Sequence, residues 1–250
     1  SGEQGRPAPS VAPGSPTGYE GGRRSQVLQS TDGYHWVMQT QQMIASGTWR
    51  VRHVDYDNAP AGREVHWCTP LHLWLALVAW GDHAVTGRPW LIAVEHAALY
   101  AGPLLLALVL TVFVPWTARR FGAGAAAALA AGLVCIAPLA GEFGAGSFDH
   151  HGVAAAGAAG SVLLLVAGWR EPERARRDFI AAGVVGAAGL WVNAATQIPV
   201  LVGIGLGAFL AHHVTSPERQ KVDPSLWRVW GIAGGAASLL FYTLEYFPSH

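Results

Sequence analysis

Residues 92–116 read IAVEHAALYAGPLLLALVLTVFVPW. Only Glu95 and His96, near one edge, can carry charge near neutral pH. A helix needs about 20 predominantly apolar residues to cross the hydrocarbon core of a bilayer, and this run is long enough. Working outward, further apolar runs follow at Gly122–Ala140, Val153–Trp169, Phe179–Ala195, Pro199–Ala211 with its flanks, and Val229–Leu244. Pro199 either begins a helix or kinks a longer one. Upstream, Leu71–Trp80 is too short to cross and reads as an interfacial or re-entrant helix. The expected fold is therefore all-α, a polytopic transmembrane bundle of about six spans over 91–250.

Composition supports this division. The chain is 51% hydrophobic and 13% charged, against about 25% charged residues in a soluble domain. The polar residues concentrate before residue 67. Residues 1–30 are rich in Pro, Gly, Ser and Arg and read as disordered or linker. Residues 31–90 read as a long extracytoplasmic loop with short helices. In it, Thr31 or Asp32 can cap a helix over Tyr34–Ala45 that Gly47 stops, and 48–67 form an irregular loop. The formal net charge is zero, which gives a nucleic-acid partner no electrostatic support. Cys68 and Cys135 make neither a disulfide framework nor a metal-type spacing. The chain opens on Ser without a signal-like apolar core and ends just after an apolar run, so a longer parent protein is expected.

Basic residues orient the spans. Arg119 and Arg120, then Arg170, Arg174, Arg176 and Arg177, then Arg219, Lys221 and Arg228 occupy alternate loops. The positive-inside rule assigns those loops to the cytoplasm. The intervening loops carry Asp149-His150-His151, a turn at Thr196–Ile198, and Glu245. They fall on the outer side, together with residues 1–90. The glycines of 122–124, 183–189 and 203–207 are expected to let helix backbones approach.

The stretch Gly146-Ser147-Phe148-Asp149-His150-His151-Gly152 carries the most chemistry. A carboxylate and two imidazoles at a span boundary are costly unless they are used. Asp149 and His151 can address one cation from the start of a helix, or Asp149 can simply cap that helix. Asp32, with Tyr34 beside it, shares the outer side. Asp55-Tyr56-Asp57 is an acid-x-acid pattern in a turn-rich loop. The histidines at 53, 66, 72, 83 and 96 read as interfacial groups.

Taken in order, Asp32-Gly33-Tyr34, Asp57-Asn58-Ala59-Pro60-Ala61-Gly62-Arg63, His66-Trp67-Cys68-Thr69-Pro70-Leu71 and Phe148-Asp149-His150-His151 resemble the catalytic subunit of archaeal and bacterial oligosaccharyltransferases. More broadly, they resemble the GT-C class of membrane glycosyltransferases. The resemblance covers about Thr31 to Ala155. It implies a GT-C-like bundle that transfers a glycan from a polyprenyl-phosphate or polyprenyl-pyrophosphate carrier to the Asn of an acceptor polypeptide, outside the membrane. It implies a divalent cation, Mn²⁺ or Mg²⁺, held by Asp32, Asp149 and His151, with Asp32 and Asp149 catalytic. His150, Tyr34 and Glu142 would stand behind these ligands, Glu142 where family members often carry Arg. Asp57 and Glu245 are additional acids, Glu245 within Thr243-Leu244-Glu245 as a stand-in for a later acidic motif. The acceptor-reading Trp-Trp-Asp element of the family is absent from this chain. Two other readings compete: a GT-C enzyme with a lipid or glycan acceptor, and a non-enzymatic transporter or scaffold.

Overall fold

The computed structural model describes Leu28, residues 31–214 and residues 223–247. The expected linker over 1–30, apart from Leu28, lies outside the described residues, as do Arg219 and Lys221. The chain is mostly helical and divides into two compact units.

The first unit comprises residues up to Leu104 together with Phe143–Asp149. Helix α1 spans Thr31–Ser46. It starts earlier than the sequence suggests: Asp32 sits inside its first turn, where a carboxylate complements the helix dipole. Gly47 stops it as expected. At φ 65°, its N–H reaches the Ile44 carbonyl and the Thr48 N–H reaches that of Met43, a Schellman closure. The loop after it is more regular than expected, because β1 (His53–Val54) pairs antiparallel with β2 (Arg63–Glu64). Helix α2 runs Thr69–Thr86, starting with Pro70 in its first turn and ending at Gly87 in the left-handed conformation. It is 18 residues long, not the ten-residue run 71–80, because residues 81–86, which include Asp82 and His83, continue the helix.

Helices α1 and α2 pack through Trp36, Val37, Leu71 and Leu75, all at most 3% exposed. His72 is also buried, at 3% exposure, rather than interfacial. Residues 143–149 lie along the start of α3 (Trp90–Phe121). The Gly146 N–H reaches the Leu99 carbonyl, and a β-carbon on Gly102 would meet the Phe143 and Gly144 carbonyls at 3.0 and 3.1 Å. That close approach delivers Asp149 to the α1–α2 core.

The second unit holds Leu105–Glu142 and the chain from His150 onward. The run expected as one span over 122–140 is broken into α4 (Ala123–Cys135) and α5 (Ala137–Gly141). Pro138 lacks an N–H and clashes with the preceding turn, so the helix restarts after Ile136. Helix α6 covers His151–Arg170, and a 3₁₀ turn at Pro172–Arg174 leads into α7 (Ala175–Val192). Helix α8 (Ala194–Val214) contains Pro199 in its interior, so that proline does not begin a helix. The turn before it lies at Asn193, not at 196–198. Helix α9 is Pro224–Tyr246.

The glycine expectation divides. On α7, a Gly183 β-carbon would collide with the Trp230 carbonyl oxygen and lie 2.9 Å from Gly234 N, so α7 and α9 touch backbone to backbone. A β-carbon on Gly122, Gly124, Gly203, Gly205 or Gly207 would meet no atom of another described element within 4 Å, so these glycines do not permit a close helix approach among the described residues.

Among the described residues, two helices, α3 and α6, are long and apolar enough to cross a membrane. On α3, Tyr100, Leu104, Leu108 and Val112 recur every fourth position with 47–55% exposure, an apolar stripe along one helix face.

Candidate metal centre

Asp149, His150 and His151 are consecutive at the head of α6, and one potential ligand atom from each lies within 4.8 Å of the others. The cap position of α6 is His150, with no side-chain capping bond. Asp149 lies one residue before that position. Its Oδ1 accepts from Trp36 Nε1 at 3.3 Å. Asp149 is only 9% exposed, and a carboxylate so placed needs donors or a cation to offset its lost hydration.

The donor set suits a cation. Two ligands each ~2.1 Å from one ion stand at most ~4.2 Å apart. The observed spread therefore closes with about half an ångström of side-chain movement. One carboxylate with two imidazoles mixes hard and borderline donors, which favours Mn²⁺ over the oxygen-demanding Mg²⁺. The His150 and His151 rings lie 4.3 Å apart, centroid to centroid. One potential ligand atom of His150 lies in the same cluster as those of Asp149 and His151.

His151 has a neighbour the sequence did not announce. Asn193 Nδ2 lies 3.4 Å from His151 Nδ1, while Asn193 Oδ1 accepts the Thr196 N–H at 3.1 Å. The second bond, a cap on the first turn of α8, turns the amide nitrogen toward the imidazole.

The other expected residues are placed as follows. Asp32 lies one helical turn before Trp36 on α1, the spacing that puts two side chains on one face. The described ligand cluster does not include it. Tyr34 accepts the Leu28 N–H at 3.0 Å through its hydroxyl. Asp57 pairs with Arg63 at 3.0 Å across the β1–β2 turn. Glu142 is the residue immediately after α5, at its C-cap. Glu245, 9% exposed, accepts from Trp191 Nε1 at 2.6 Å.

Sequence reading missed Trp36 as a polar partner, together with the cluster behind it. The Trp67, His72 and Phe148 rings lie 4.5, 4.6 and 6.1 Å from Trp36. His72 Nε2 is 2.9 Å from Gln39 Oε1. Burial lowers the His72 pKa to about 4, against a smaller upward pull from the Cys68 carbonyl. The only advance signal was the Trp36 position, one turn after Asp32. Compared with protein-family models, curated proteins and solved structures, the chain matches none of them.

Proposed function

We propose that this chain is the membrane part of a metal-dependent GT-C glycosyltransferase of oligosaccharyltransferase type. It would span the membrane several times, with its site on the extracytoplasmic face. The observation that carries the reading is the Asp149-His150-His151 ligand cluster at the head of the membrane-length helix α6. Asp149 is bonded to the helix that bears Asp32. The exposed apolar stripe on α3 supports a lipid environment.

In the reaction proposed, the bond between the sugar anomeric carbon and the carrier phosphate oxygen breaks. A bond forms from that carbon to the amide nitrogen of an acceptor Asn. The polyprenyl phosphate or pyrophosphate departs, and the amide proton passes to solvent. Asp149, His150 and His151 would hold the cation, which when bound supplies positive charge beside the leaving phosphate. Asp32 would accept a hydrogen bond from the acceptor amide and fix its direction of approach.

The test is calorimetric titration of Mn²⁺ into the detergent-purified protein and its Asp149→Ala and Asp32→Ala variants. Transfer of a polyprenyl-linked glycan to an Asn-x-Thr peptide is then assayed. Binding of about one ion that Asp149→Ala abolishes and Asp32→Ala retains, with metal-dependent transfer that both substitutions abolish, is the expected result. Saturable Mn²⁺ binding without peptide transfer would favour a lipid or glycan acceptor. No binding by the wild type, with or without lipid-linked donor, would overturn the reading.

A further inference from the structure

The Asp149 carboxylate is tied to a residue with no role so far. Trp36 is 1% exposed, and its indole N–H donates to Asp149 Oδ1 at 3.3 Å, joining positions 113 apart in sequence. The indole has little freedom to turn away. Trp67 and His72 press on its ring at 4.5 and 4.6 Å, and Phe148, itself fully buried, meets it edge-on at 6.1 Å. His72 is anchored in turn to Gln39 of the same helix as Trp36.

An indole N–H can only donate. Held rigidly, it selects one orientation of the carboxylate plane and one oxygen to receive it. Partners that orient a metal-ligating side chain in this way typically contribute about 10–100-fold to metal affinity. Their effect is largest where the supporting shell is packed and cannot relax. The same helix face carries Asp32 one turn earlier.

We infer that Trp36 is a positioning residue for the cation site: its indole N–H orients the Asp149 carboxylate toward His150 and His151 and refers it to the helix that carries Asp32. The inference rests on the cation reading above and adds the residue that makes the site rigid.

The experiment is Mn²⁺ calorimetry on the intact protein in detergent, comparing wild type with Trp36→Phe and Leu75→Val. Phe keeps an aromatic ring and removes the donor. Leu75, fully buried in the same unit, reports ordinary loss of packing. Trp36→Phe is expected to weaken Mn²⁺ at least tenfold, while Leu75→Val stays within about twofold. Equal weakening in both variants, or wild-type affinity in Trp36→Phe, overturns the inference and leaves the cation reading standing. A wild type that binds no Mn²⁺ overturns both.

A second measurement covers the case in which Trp36→Phe does not fold. In wild-type protein labelled with ¹⁵N at the indole nitrogens, the Trp36 resonance is identified by its displacement in Asp149→Asn. It is expected to shift with Mg²⁺ and to broaden beyond detection with Mn²⁺. A resonance that neither ion moves overturns the inference.

Discussion

The Arg120 guanidinium meets the Asp178 carboxylate at 2.5 Å, with the two side chains only 9% and 6% exposed. Arg120 Nε also reaches Glu171 at 2.8 Å. One cation thus ties the end of α3 to the start of α7. The sequence shows this arginine only as one of two adjacent basic residues between apolar runs, and in the structure it is mostly buried and paired. Removing one member of such a pair strands a buried charge, which costs more than the pair contributes when intact. Arg120→Met is expected to destabilise the protein by about 3 kcal/mol, and Arg120→Met with Asp178→Asn to recover part of that loss. Unfolding in mixed detergent measures both. A double variant no better than the single one would show that Asp178 is not the stranded group.

Gly183 and Gly203 make a matched pair. A methyl group on Gly183 would strike backbone atoms of Trp230 and Gly234, which cannot rotate aside. Gly183→Ala is therefore expected to cost about 1–3 kcal/mol. A β-carbon on Gly203 would meet no described neighbour within 4 Å, and alanine is the better helix former by about 1 kcal/mol. Gly203→Ala is expected to be neutral or stabilising. Melting temperatures of the two variants in one detergent decide this, and the opposite order would contradict the α7–α9 contact.

These two glycines also show what the sequence can and cannot disclose. Small residues were legible on both α7 and α8, but which face meets a neighbour is a tertiary choice that no local pattern encodes. Gly47 was legible as a stop because a left-handed closure is a local event. Pro138 carried an equally local signal for the break at Ile136, and the apolar continuity around it masked that signal. The Asp149-His150-His151 cluster could be read because its members are contiguous. Its bond to Trp36 could not, since it joins segments 113 residues apart. Asn193 escaped notice for the same reason, with 42 residues between it and His151.

His72 predicts a dependence of stability on pH. Its ring stays neutral in the folded chain down to about pH 4, whereas in the unfolded chain it takes a proton near pH 6.5. Between those values the unfolded state binds more protons, so stability falls as pH drops from about 6.5 to about 4 and this loss levels off below that. The full span is worth at most about 3 kcal/mol. Unfolding of wild type and His72→Gln at pH 7 and pH 4.5 measures it. The variant is expected to lose most of that pH slope, and an equal slope in both proteins would assign it to other groups.

Asn193 controls which nitrogen His151 offers. Its Oδ1 is committed to the Thr196 N–H, so its Nδ2 faces His151 Nδ1. A neutral imidazole that accepts at Nδ1 carries its proton on Nε2, so its one free lone pair is already engaged by the Asn193 N–H and a cation must displace that amide to use it. Asn193→Asp preserves the acceptor for Thr196 and replaces the facing donor with a second carboxylate oxygen. That oxygen favours the proton on Nδ1 and frees Nε2, the arrangement in which a carboxylate supports a metal-bound histidine. The expected result is Mn²⁺ binding tightened by about tenfold, with little change in melting temperature. Asn193→Ala separates the two roles. It is expected to lose about 1 kcal/mol with the cap without tightening Mn²⁺. Should Asn193→Asp bind Mn²⁺ no better than wild type, His151 does not reach the ion through Nε2.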